Sequence, residues 1–169
     1  MKLPYSFFNR PCLEVSRDLV GKILVRKTES GEIRLRITET ESYVGESDTA
    51  CHAHKGRTNR TEVMYRRAGT IYVYLCYGIH WLLNIVTGDE NNPQAVLIRA
   101  CEDYAGPAKL TKKLMITGDF NRKDITDCKD FYIEDDGFEC DVITDKRVGI
   151  AYASVEDQDK PWRFIMKKS

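Results

Sequence analysis

From Ile33 to Tyr43 the chain alternates. Ile33, Leu35, Ile37, Glu39, Glu41 and Tyr43 take one parity, and Arg34, Arg36, Thr38, Thr40 and Ser42 the other. Alternate residues of a strand share a face, so the pattern predicts a strand whose apolar face runs on into two carboxylates and a tyrosine. Lys22 to Lys27 reads as its hairpin partner, joined through Glu29-Ser30-Gly31-Glu32. Thr70 to Tyr77, Leu82 to Thr87 and Gln94 to Glu102 are further β-rich segments, with Gly88 to Pro93 as the turn before the last. Short strands are expected at Phe131 to Ile133, Cys140 to Thr144, Val148 to Ala153 and Arg163 to Met166. Helical patterns run from Arg10 to Val20, where Pro11 suits a first turn and Gly21 an end, from Pro107 to Ile116, and more briefly near Arg122 to Thr126. Between Gly45 and Gly69 apolar periodicity gives way to a polar, basic stretch, read as a long loop with room for a short helical turn. Strands dominate without a βαβ rhythm. The expected fold is therefore α+β: one domain over residues 1–169, a curved, largely antiparallel, barrel-like sheet with a few surrounding helices.

Composition adds a few limits. A chain of 169 residues can bury a core without staples. The N-terminal MKLPYSFF is broken by Pro4 and followed by Arg10 and Glu14, unlike a targeting signal, and no apolar run is long enough for a bilayer. A cytoplasmic protein with no membrane association is expected. The six cysteines, Cys12, Cys51, Cys76, Cys101, Cys128 and Cys140, form no CxxC pair and are expected as reduced thiols. Cys51, His52 and His54 stand close, but a tetrahedral metal site needs a fourth ligand. Neither metal nor cofactor is expected. Formal net charge is zero, yet basic residues gather between Lys55 and Arg67 and acidic ones between Asp119 and Asp145. The acidic segment reads as a solvated surface, whereas a basic patch on a neutral protein can still hold a phosphate backbone, with salt sensitivity.

The candidate chemistry lies on the first long strand and the loop after it. A carboxylate on the sheltered face of a strand is costly unless partnered, metal-bound or kept for chemistry. Taken alone, Glu39 or Glu41 reads as a salt-bridged or strand-end glutamate. Their company changes that reading: His52 and His54, then Lys55, Arg57, Arg60, Arg66 and Arg67, then Tyr72, Tyr74 and Tyr77. Carboxylate, basic loop and aromatics together suit nucleic acid and purines.

Several motifs, in order along nearly the whole chain, carry a resemblance to a known family. They are ETESY at Glu39 to Tyr43, His52, GTIYVYLCYG at Gly69 to Gly78, Asn84, LIRACE at Leu97 to Glu102, GPAKL at Gly106 to Leu110, RVGI at Arg147 to Ile150 and PWRF at Pro161 to Phe164. The chain resembles the alkyladenine, or 3-methyladenine, DNA glycosylases of the methylpurine type, in a minimal form and with a lower net charge than a DNA-binding enzyme usually carries.

The resemblance implies a monofunctional glycosylase that flips an alkylated or deaminated purine out of double-stranded DNA and hydrolyses its N-glycosidic bond. It implies a base pocket with Tyr43 on one side and His52 with Tyr74 on the other, and Asn84 obstructing the exocyclic amine of guanine. Tyr72 by itself reads as a core residue. Tyr77 matches the family's wedge into the duplex, with Ile79 beside it. Glu41 matches the general base, and Arg99 its partner, with the Val148 carbonyl helping to hold the water; Glu39 is the competitor for that role. Arg57, Asn59 and Arg60 are candidates for phosphate contacts. The expected partner is DNA containing damaged purines, with no obligate protein partner. The alternative is a non-catalytic binder of modified bases or nucleic acid, since the family's fold is shared with a substrate-binding domain of a formyltransferase. An RNA-directed activity would differ only in its handling of the 2′-OH.

Overall fold

A computed structural model describes residues 1–168. A helical turn α1 (Tyr5–Phe8) and helix α2 (Cys12–Leu19) precede strands β1 (Ile23–Thr28) and β2 (Gly31–Tyr43). Two 3-10 turns, His52–Lys55 and Thr61–Tyr65, interrupt the long loop. Then come β3 (Ile71–Cys76), β4 (His80–Val86), β5 (Ala95–Cys101), the short β6 (Tyr104–Ala105), α3 (Pro107–Leu114), β7 (Phe131–Glu134), β8 (Val142–Asp145), the turn α4 (Val155–Gln158) and β9 (Arg163–Met166).

The strands join in one sheet, with main order β3-β4-β5-β2-β1-β7 and every pairing antiparallel. β2 is its spine. One edge pairs with β5 from Ile37 to Tyr43; the other pairs first with β1 and then, from Glu39 to Glu41, with β9. The sheet curls, because residues from its two ends share one core: Ile71 and Val73 of β3 cluster with Phe131 and Ile133 of β7, together with Val15 and Leu19 of α2 and Leu110 and Leu114 of α3. A flat sheet would hold those strands apart.

Beyond Thr38, α2 packs on the even-numbered face of β2, where the Thr40 hydroxyl donates to the Ser16 carbonyl at 2.8 Å and the Ser16 and Ser42 hydroxyls meet at 2.5 Å; before it, the odd-numbered Leu35 and Ile37 share the core with α2. Thr40 and Ser42 are buried beneath the helix, and Glu41, on the opposite face against Val148, is buried as well. Register irregularities opposite β5 at Thr38 and Arg99 mark a local bulge, which falls beside the two glutamates.

Two expected elements take other forms. Arg122 to Thr126 is a turn rather than a helix, closed by Asp124 Oδ1 accepting from the Thr126 N–H and hydroxyl, and bridged to Thr70. Val148 to Ala153 is bent rather than extended, because Gly149 takes a left-handed φ of 74° and no strand pairs there. α4, which follows it, has a sequence signal: the Ser154 hydroxyl accepts from the Asp157 N–H at 3.2 Å as an N-cap. The acidic segment after Asp119 is partly paired: Glu134 lies against Arg34, and Asp136 bonds Arg36 at 2.8 Å. Among the described residues no helix is long and apolar enough to cross a membrane.

Candidate active site

Glu41 has no exposed surface. The Tyr43 hydroxyl, two residues along the strand, donates to its Oε1 at 2.8 Å, and the Val148 N–H donates to Oε2 at 2.8 Å. Arg99 Nε lies 3.9 Å from Oε2 and closer, 3.6 Å, to Glu39, which Arg163 also approaches at 3.5 Å. Burial pushes the Glu41 carboxyl above its ordinary range, outweighing the opposing pull of Val148, Tyr43, Arg99 and Arg147. Val148 thus meets Glu41 through its N–H, and Arg99 is shared between two carboxylates.

Tyr43 forms one wall of a small aromatic cleft, about 320 Å³ including its open mouth, lined also by His52, Tyr72, Tyr74, Asn84 and Met64. The strands explain the assembly. Tyr72 and Tyr74 share a face of β3, and Asn84 stands opposite Tyr72 on β4. The rings of His52 and Tyr74 lie 4.6 Å apart, and His52 Nδ1 is 3.0 Å from the Tyr72 hydroxyl. Tyr72 is thus both a buried core residue, as its position on the strand suggests, and part of the cleft. Asn84 is buried, its amide donating to the Tyr72 carbonyl at 3.2 Å.

Burial pushes His52 down from 6.5 to about 4, with Arg60 and Lys55 adding to the effect. The ring is neutral at pH 7. A histidine harder to protonate when folded makes the unfolded chain the better proton acceptor, so its contribution to stability should be lost as pH falls from about 6.5 toward about 4. Melting temperature followed against pH should show that loss weakened in His52→Gln; an unchanged acid slope in the variant would contradict it.

Cys51, His52 and His54 have separate surroundings: the thiol is buried, and His54 Nδ1 turns to the Glu46 carbonyl at 2.8 Å. At the tip of the β3–β4 hairpin, Tyr77 and Gly78 take φ of 53° and 71°, the paired left-handed geometry of a tight hairpin turn. For a tyrosine that conformation costs on the order of 1 kcal/mol. The tip nevertheless presents Tyr77 at 91% exposure and Ile79 at 71%. The loop residues Arg57, Asn59 and Arg60 are exposed. Arg60 lies over the Tyr74 ring at 5.0 Å, and Arg57 over Tyr65 at 4.6 Å, with a 3.0 Å bond to Asn91.

Sequence reasoning singled out neither Tyr152 nor the pair Asp48 and Arg147. Tyr152 stands at the cleft mouth, its hydroxyl donating to the Ala50 carbonyl at 2.7 Å. Arg147 and Asp48 are both buried, joined by bonds of 2.6 and 3.0 Å. Arg147 also donates to the carbonyls of Ser42 at 3.0 Å and Asp157 at 3.2 Å, so it ties β2, the following loop and α4 together immediately before Val148. Arg147 opens RVGI, which gave a signal; Asp48 lies 99 positions away and gave none.

Comparison with known proteins bears on what this geometry serves. A family model described as Methylpurine-DNA glycosylase matches residues 6–105 and 103–169. A protein of Methanocella arvoryzae with the name "Putative 3-methyladenine DNA glycosylase" is 42% identical over 187 residues, covering 99% of this chain and 93% of its own. Proteins of the same name from Borrelia garinii subsp. bavariensis, 42% identical over 95% of this chain and 94% of their own length, and Natranaerobius thermophilus, 39% identical over 99% and 96%, are similar. With its matched length and these relatives, the chain belongs to the methylpurine-DNA glycosylase family.

Proposed function

We propose that this protein is a monofunctional DNA glycosylase that removes alkylated or deaminated purines from duplex DNA. The observation that carries the reading is a fully buried carboxylate, Glu41, hydrogen-bonded to the tyrosine that walls an aromatic cleft. A base inside the duplex must be flipped out, at a cost of a few kcal/mol in unstacking. Tyr77 and Ile79, held outward on a strained turn, fill the vacated space. The base enters between Tyr43 and the His52–Tyr74 wall. A cationic alkylpurine stacks favourably on the tyrosine faces, and His52, being neutral, puts no charge against it. Asn84 at the cleft wall obstructs the guanine amine.

Glu41, ionised, then orients a water and accepts its proton as the oxygen bonds to C1′ and the N-glycosidic bond breaks, its electron pair leaving with the base. The carboxylate also stabilises positive charge developing on the sugar. Arg99 helps to keep it ionised, and Glu39 with Arg163 holds Arg99 in place. A cationic base leaves neutral and needs no proton donor, unlike an ordinary glycoside. Incubation with methylated duplex DNA should yield free base and an abasic site, without a borohydride-trapped covalent adduct. Lesion DNA bound tightly with no base released would instead identify a binding module.

Arg57 and Arg60 contact phosphates in this reading. Neutralising both with glutamine should weaken DNA binding and flatten the dependence of log affinity on log salt by roughly 2 units of slope. An unchanged slope removes them from the interface.

A further inference from the structure

Arg147 holds its charge directly behind Tyr43. Its guanidinium carbon is 5.1 Å from the Tyr43 ring centroid and 4.9 Å from that of Trp162, and its side chain, fully buried, is absent from the cleft lining. A cation on one face of a ring opposes a cation on the other. At an effective dielectric of about 20, a bare charge behind the ring would weaken the binding of a cationic base in front of it by on the order of tenfold. The charge is not bare. Asp48 meets it with two bonds, of 2.6 and 3.0 Å, and is itself held in place by the N–H groups of Val44 and Ala50, which donate to its oxygens at 3.0 Å each.

We propose that Asp48 and Arg147 form a charge-cancelled backing for Tyr43 that sets the preference of the cleft for cationic over neutral purines. The pair is a specificity-determining element that never touches the base. Arg147 supplies the donors that fasten the Ser42 and Asp157 carbonyls, and Asp48 removes the electrostatic side effect of placing a guanidinium there. The inference rests on the reading that Tyr43 stacks on the bound base.

The test is binding in a Glu41→Gln background, where the base is not turned over. Affinities are measured for a duplex containing 7-methylguanine, which is cationic, and one containing ethenoadenine, which is neutral. Asp48→Asn leaves the arginine uncancelled and should lower the cationic-to-neutral affinity ratio about tenfold. Arg147→Met leaves the aspartate uncancelled and should raise it, and the double variant should return it toward the parent value. General loosening of the site cannot move the ratio in opposite directions. Should one single variant fail to fold, the other and the double variant still decide the matter. A ratio unchanged, or shifted the same way, in the foldable variants overturns the proposal. A Glu41→Gln parent that binds neither lesion better than undamaged duplex would instead remove the stacking reading beneath it.

Discussion

Arg147→Ala is expected to lower the unfolding free energy by about 3–5 kcal/mol, read as a fall in the urea midpoint. The substitution leaves the Asp48 carboxylate buried without its cation, unfastens the Ser42 and Asp157 carbonyls, and empties the space between Tyr43 and Trp162. Breaking one side of a buried pair is costly because an uncompensated charge remains, whereas replacing both partners by uncharged residues of similar size is often near neutral. The double variant Asp48→Asn, Arg147→Met should therefore be distinctly more stable than Arg147→Ala. Exposed pairs such as Lys146 with Asp159, each side chain more than half exposed, should contribute about 0–1 kcal/mol when removed. A loss that small for Arg147→Ala would mean that the pair does not brace the site.

Where local pattern decides structure, the sequence was a good guide. The period-2 alternation of β2, Pro11 ahead of α2, and Pro107 opening α3 all produced elements close to those expected. Val148 to Ala153 misled because its apolar content suits a strand, while the buried bonds of Arg147 and the left-handed Gly149 decide its course. The parity of β2 put Glu41 and Tyr43 on one face, but could not show that α2 and the Val148 segment would cover both sides and drive Glu41 to full burial. His52, Tyr74 and Asn84 were found through the ordered motifs of the family; that they converge on one cleft depends on the curl of the sheet and on the path of the loop. Asp48 remained invisible because long-range pairing of charges leaves no periodic trace. Tyr152 was passed over for a similar reason, since nothing local distinguishes a tyrosine at a cleft mouth from one in solvent.

Glu41→Gln should slow base release by about a hundred- to ten-thousand-fold, the range for loss of a general base, with lesion binding retained. The amide is isosteric and can keep both present contacts, its oxygen accepting from the Val148 N–H and its nitrogen donating to the Tyr43 hydroxyl oxygen. Stability should rise. Burial raises the Glu41 pKa in the folded state, so its ionised form is disfavoured there, and the stability lost as pH rises through that raised value is restored when the charge is removed. For the wild type the same shift predicts a reaction rate that falls with acidification through an apparent pKa above 4.5. Glu39→Gln should act more mildly, since Glu39 reaches the site only by holding Arg99. The most direct measurement is single-turnover release of 3-methyladenine from methylated duplex DNA by the wild type, Glu41→Gln and Glu39→Gln. Rapid release by the wild type, its near loss in Glu41→Gln and substantial retention in Glu39→Gln are predicted. Near-normal release by Glu41→Gln, with loss in Glu39→Gln, would contradict the assignment of the buried carboxylate as the base.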